Sequence, residues 1–288
     1  MDILIIGMLL GGTYALMAMG LQLQYGVARI MNLANGEMLI AGAFITFWFF
    51  TASQASPFYA LIGIVPAAFV VNWAIYRVLI SPLVRRARNQ GQLEVDCILA
   101  TFGLSFILVG LLLAVFGGEY LSYSYLARPV FILGEPYGLN RIAAFLASAA
   151  LCIGLYGWLH WTRTGLALRA VSVNPSAAGL VSINVPRTSA FAFALGGAVT
   201  AAGGGLLSIF LTFDASLGVV FTLKALIIVI LGGVSDIRGT IIAAFILGLA
   251  ETAVATLIDP GLTLAAAYVL FMVILLVRPE GLFGRRSS

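Results

Sequence analysis

Charge is what this chain has least of. Only 9% of its 288 residues are Asp, Glu, Lys or Arg, while 62% are hydrophobic. A soluble domain carries about 25% charged residues, so a water-soluble globular fold is excluded and a polytopic membrane protein is implied. Histidine occurs once, as His160. A multi-histidine metal set cannot be assembled from it, and the sequence offers no nucleophile–base pattern around it. Its place between Trp158 and Trp161 reads as part of an interfacial aromatic belt. Lysine also occurs once, as Lys224, in Phe-Thr-Leu-Lys-Ala-Leu. That is not a glycine-rich phosphate loop, so the chain carries no nucleotide-hydrolysing motif of its own. Cys97 and Cys152 sit in apolar runs with neither metal nor disulfide spacing, and read as small core residues. No enzyme activity, cofactor or metal is expected. The first apolar run follows Asp2 instead of a basic region, and reads as a retained helix.

What the chain does have is apolar runs long enough to cross about 30 Å of hydrocarbon as helices. They lie near 3–24, 37–53, 58–80, 92–116, 140–160, 188–211, 219–233, 240–257 and 262–277. The expectation is one all-α polytopic domain over residues 1–288, with about eight or nine spans. Arginines give it a direction. Arg29, Arg77, Arg85, Arg86, Arg88, Arg163, Arg169, Arg187, Arg238, Arg278, Arg285 and Arg286 fall on one side, against Arg128 and Arg141 on the other. Basic loops stay inside, so the N-terminus is expected outside and the C-terminus in the cytoplasm. The net charge of +4 then needs no nucleic-acid partner.

Glycine pairs such as Gly7/Gly11 and the Gly196-Gly197 and Gly203–Gly205 clusters suit close helix packing in lipid. Two polar breaks interrupt the apolar pattern, near 25–37 and 232–240. Paired breaks in two halves of a chain point to a solute path, with plain cytoplasmic turns as the alternative. In the first break Asn32, Asn35, Gly36 and Glu37 are candidates for a path or gate. Their amides can both donate and accept, and helix capping by Asn is the competing role. Lys224 lies 12 residues before Asp236 and Glu251 lies 15 after it. At 1.5 Å per residue the two reach about the same depth on antiparallel helices, and an ion pair is expected. Snorkelling of Lys224 to water is the alternative.

The long polar connection is residues 162–187, on the expected cytoplasmic side. Its small apolar pattern, Ala170, Val173, Ala177, Ala178 and Val181, predicts a short surface helix over 169–183. Pro175 is placed to start its second part. The face Ala177, Ala178, Val181 is too small to anchor in lipid and suits a groove on another protein.

Gly-Gly-Thr-Tyr-Ala-Leu-Met-Ala-Met-Gly-Leu from Gly11, Met31-Asn-Leu-Ala-Asn-Gly-Glu37, Arg169-Ala170, Asn174-Pro175, Ala177-Ala178, Ile183-Asn184, Lys224-Ala225, Gly248-Leu-Ala-Glu251 and Arg278-Pro-Glu-Gly-Leu-Phe-Gly284 together resemble one family. It is the permease subunits of branched-chain amino acid ABC transporters, the LivH/LivM type. The chain departs from the family's pattern at Leu33, Asn35, Ser176, Gly179 and Ser182, the last standing where glycine is usual. The resemblance implies an importer in the bacterial inner membrane. It implies a second permease subunit, identical or similar, and a periplasmic solute-binding protein. Cytoplasmic ATP-binding subunits would be engaged through Arg169, Ala170, Asn174, Pro175, Ala177, Ala178 and Ile183. Branched-chain amino acids, urea or short amides are the implied cargo. A stand-alone channel or secondary carrier, using Glu37 or Glu251 for ion coupling, is the competing reading.

Overall fold

The computed structural model describes residues 2–132, 135–234, 236–278 and 281–283. The positions Pro279, Glu280, Gly284, Arg285 and Arg286, used above for the C-terminal pattern and the charge bias, and Ser235 lie outside them. Helix α1 is Asp2–Ala28 and α2 is Asn35–Ser53. Helix α3, Pro57–Ile75, runs through a π-helical turn at Tyr76–Ile80 into α4, Ser81–Arg86, as one rod. Helix α5 is Gln90–Phe116. A hairpin of β1, Pro129–Ile132, and β2, Glu135–Gly138, leads into α6, Leu139–Trp161. Then come α7, Arg163–Val173; α8, Pro175–Leu180; α9, Val185–Leu207; α10, Gly218–Gly232; α11, Ile237–Leu257; and α12, Thr263–Val277.

Eight helical segments among the described residues are long and apolar enough to cross a membrane. The run expected to span at 219–233 forms α10, only 15 residues. At 1.5 Å per residue it covers about 22 Å, short of the hydrocarbon thickness. The antiparallel hairpin pairs Val130 with Tyr137 and was not expected in an all-helical chain; it is confined to two strands of four residues.

Local chemistry sets the helix starts at one end of the bundle. Asn89, Thr162, Asn174, Asn184 and Asp236 each accept a backbone N–H of the following first turn, satisfying donors that a helix leaves unpaired. This end gathers the arginines: Arg169 reaches the His160 carbonyl and Arg238 donates to Tyr156. The opposite end is closed by the segment after α5, where Leu121 pairs with Phe213 and Tyr123 bonds Ser208 at 3.0 Å.

The centre is α1 and α9, flanked by α2 and α11. They approach through glycine. Gly7 and Gly11 lie on Leu249 and Phe245 of α11; Gly20 lies on Gly196 and Thr200; Gly42 and Gly204 lie on the α9 and α2 backbones. Where lipid supplies no hydrophobic drive, this close backbone approach and the dispersion it brings hold helices together. The rod of α3 and α4, α5 and α12 form the rim, presenting Ile62, Val78, Ile107, Val115, Met272 and Leu276 outward.

Candidate functional site

The first polar break does not sit at the end of the bundle. Arg29 takes a left-handed φ of 55°, and the chain climbs back beside the last turns of α1. Asn32 Nδ2 donates to Gln24 Oε1 at 3.0 Å, and Asn35 Oδ1 accepts from Thr200 Oγ1 at 3.0 Å. Helix α2 therefore starts part-way up the bundle. Its backbone groups must find partners without water, and threonines of other helices supply them. Thr101 Oγ1 accepts from Leu33 N at 3.2 Å, while Thr222 Oγ1 accepts from Gly36 N at 2.8 Å and donates to Leu33 O at 3.2 Å. Asn32 Oδ1 accepts from Ala34 N, a local turn, whereas Ala34 itself holds the cap position of α2 without a side-chain bond. Asparagine thus stabilises the break without capping the helix.

The second expected break, 232–240, lies beside the start of the first, its Val234 carbonyl against Gly26. It forms a tight turn at the arginine-rich end, where Gly233 ends α10 with φ 100°, and Gln22 Nε2 donates to the Val234 carbonyl. The segment opposite the first break is 208–217, between α9 and α10. It dips inward so that α10 begins at Gly218 directly against Gly36, closely enough that a methyl at Gly36 would overlap the Gly218 carbonyl. The N-termini of two interrupted helices therefore meet inside the bundle. Asn35 and Glu37 are fully buried there. Both Glu37 oxygens and Asn35 Nδ2 have no hydrogen-bond partner among the described residues. The Glu37 carboxyl sits over the first turn of α10, 3.0 Å from where a Cβ on Gly218 would be. The sequence carried a signal for this dip: Asp214-Ala-Ser216, whose side chains bond each other at 2.6 Å, precedes an apolar run too short to span.

Lys224 and Glu251 lie at one depth, on α10 and α11. Lys224 Nζ is 2.8 Å from Glu251 Oε2, and the side chains are 11% and 3% exposed. Tyr14 of α1, which sequence reasoning did not single out, closes a triangle. Its hydroxyl donates to Glu251 Oε2 at 2.9 Å and accepts from Lys224 Nζ at 2.8 Å. Lys224 does not snorkel.

The 162–187 connection forms two helices, α7 and α8, in place of one over 169–183. Asn174 accepts from Ala177 N at 3.1 Å and Pro175 opens α8. The expected outer face is corrected in part. Ala178 is 3% exposed and packs with Leu23, Val27, Leu159 and Leu168, with Ala170 and Ile183 beside it. The outward large apolar residues are Leu166, Val173, Leu180 and Val181. Ala177 is exposed and small; Arg169 binds the His160 carbonyl at 3.4 Å, with its Nε buried and unpartnered among the described residues. A side chain of one methyl fits a tight internal seam, while the bulkier Leu180 has no seam to enter. Among the described residues no group of three or more His, Cys, Asp or Glu could hold a metal.

Comparison with known proteins finds one family over nearly the whole chain. A family model described as the branched-chain amino acid transport system permease component matches residues 3–278. The chain is 28% identical over 298 aligned residues to the high-affinity branched-chain amino acid transport system permease protein LivH of Escherichia coli K12, covering 97% of this chain and 94% of that one. It is 26% identical to BraD of Pseudomonas aeruginosa, covering 98% and 95%. It is 27% identical to the probable LivH of Methanocaldococcus jannaschii, covering 93% and 88%. With eight apolar spanning helices and a family match over nearly its full length, the chain belongs to the branched-chain amino acid transport permease family, as a multi-pass membrane transport protein.

Proposed function

We propose that this chain is one permease subunit of an ATP-driven importer for branched-chain amino acids or a related small polar solute. It sits in the inner membrane with its N-terminus outside and its C-terminus in the cytoplasm. The clustering of arginines at the α7–α8 end supports this orientation. Separate ATP-binding subunits dock on the 162–187 connection, a second permease subunit completes the pore, and a periplasmic binding protein delivers solute.

The observation that carries this reading is the outward apolar ridge Val173, Leu180, Val181 on helices whose other face is locked to α1 and α6. Such a ridge transmits movement of a docked subunit to the membrane helices through Leu168, Val171 and Ala178. Asn32, Asn35, Gly36 and Glu37, joined by Gly218 and Thr222, form the gate. They are buried in this conformation, and the path opens by parting the N-termini of α2 and α10.

The test is Leu180→Glu in the assembled transporter. Membrane insertion should be unchanged, while co-purification of the ATP-binding subunits and ATP-driven uptake should fall at least tenfold. Uptake that survives removal of ATP and of the ATP-binding subunits would favour a secondary carrier, for which the buried, unpartnered Glu37 would be the coupling acid.

A further inference from the structure

A cavity of about 230 Å³ opens between α1, α11 and the start of α6 and α12, at the end away from the arginine cluster. Its wall is mostly aliphatic and aromatic: Ile6, Leu9, Leu10, Phe210, Leu211 and Ala255. Two charged residues of opposite sign line it, Arg141 and Glu251, together with Thr252, Thr256 and Thr263. Glu251 is 3% exposed. Its Oε2 is engaged by Lys224 and Tyr14, and its Oε1 has no partner among the described residues. Arg141 is exposed, and its guanidinium has no hydrogen bond or ion pair among the described residues; its backbone N–H donates to Asn140 Oδ1.

We propose that this cavity is a binding site for the zwitterion of an aliphatic α-amino acid on its way from the outer face into the bundle. The proposal rests on the importer reading and adds to it a place and a set of roles. Arg141 takes the carboxylate with a forked, charge-assisted contact. Glu251, whose Oε1 is enclosed in this conformation, turns that oxygen into the cavity to take the ammonium. Leu9, Leu10 and Phe210 take the hydrocarbon side chain, excluding water from both ionic contacts. Lys224 has a clear part in this arrangement. It cancels the charge of the empty site, so that Glu251 can stay buried before solute arrives. The volume admits one small solute and no more. A lipid headgroup bearing an ammonium beside a phosphate presents similar chemistry, and the experiment separates the two.

The assembled transporter in nanodiscs, without its binding protein, is titrated with radiolabelled L-leucine and with two half-ligands, isovalerate and isoamylamine. Leucine should bind at least tenfold more tightly than either, since each lacks one ionic contact. Arg141→Gln should weaken leucine and isovalerate about tenfold or more and leave isoamylamine unchanged, and Arg141→Lys should restore part of the loss. Glu251→Gln should do the reverse. Because that variant also breaks the Lys224 pair, Leu10→Trp, which fills the cavity while leaving both charges in place, gives an independent check and should abolish leucine binding. Equal affinity of wild type and Arg141→Gln for leucine would overturn the site while leaving the importer reading intact. So would leucine binding no tighter than the half-ligands, or leucine binding abolished by phosphatidylethanolamine in the nanodisc, which would assign the cavity to lipid. Absence of any ATP-driven amino acid uptake by the wild-type transporter would instead fail the importer reading itself.

Discussion

Removing one partner of the Lys224–Glu251 pair should cost more than removing both. The two side chains are 2.8 Å apart and 11% and 3% exposed. Opposite charges at that distance attract by roughly 6 kcal/mol at an effective dielectric of about 20. Much of that is spent in desolvating them, so the intact pair contributes little net stability over an apolar replacement. Lys224→Met leaves Glu251 with only the Tyr14 hydroxyl 2.9 Å away, and an unpaired buried charge costs about 3–5 kcal/mol. Glu251→Gln leaves Lys224 with the Tyr14 hydroxyl and the face of its ring, 5.0 Å from the ring centroid, at a similar cost. The double variant removes both charges together. It should be less destabilised than the two singles summed, by about 2–3 kcal/mol or more. Tyr14→Phe keeps the ion pair but deletes the bridging hydroxyl, and should cost about 1–2 kcal/mol. The assay is reversible unfolding by SDS in mixed micelles, run on all four corners of the cycle. Additivity within about 0.5 kcal/mol would mean the residues do not couple, and would refute the triangle as an energetic unit.

The meeting of α2 and α10 gives two further expectations. Gly36→Ala should prevent stable folding, since its methyl would overlap the Gly218 carbonyl, whereas Gly103→Ala and Gly110→Ala, which meet nothing within 4 Å, should be neutral or raise the melting temperature through better helix propensity. Thr222→Val removes the acceptor of Gly36 N–H and should cost about 1–3 kcal/mol in the same unfolding assay, with Thr222→Ser close to wild type. In the connection, Ala178→Glu should lower the stability and yield of the chain itself, because Ala178 is buried, in contrast to Leu180→Glu. Ser182 holds a φ of 64°, so Ser182→Gly should stabilise the turn after α8 by about 1 kcal/mol, measured as slower proteolysis between α8 and α9.

Most of the framework was legible because spanning helices are specified by run length and little else. Runs near 37–53, 92–116 and 140–160 became α2, α5 and α6 with ends displaced by no more than two residues. Depth was legible too: counting residues from Asp236 puts Lys224 and Glu251 level, and they are bonded. What could not be read was that 208–217 forms a further break and meets the start of α2. The dip at 208–217 is apolar enough, with Ile209, Phe210, Leu211 and Phe213, to pass as the end of a span, and its register is fixed by the bridge to Leu121, far away in sequence. The side that Ala178 faces was hidden for a similar reason. A one-methyl side chain reads alike on an inner seam and an outer face, and the neighbours that decide, Leu23 and Val27, come from α1.

Glu37 shows how such placement changes the meaning of a residue. In sequence it is one acid in a polar break. In the fold it is the third residue of α2, and its carboxyl also lies over Gly218, the first residue of α10. Both helix starts carry partial positive charge from their aligned peptide dipoles. Brought together they repel, and an ionised carboxylate between them would offset that repulsion. Such an offset fits a buried acid whose oxygens have no partner among the described residues, beside backbone groups of the same break that Thr101 and Thr222 satisfy. It also makes the junction sensitive. Anything that draws Glu37 away from Gly218 leaves two like-signed helix ends facing each other at the point where the proposed path would part.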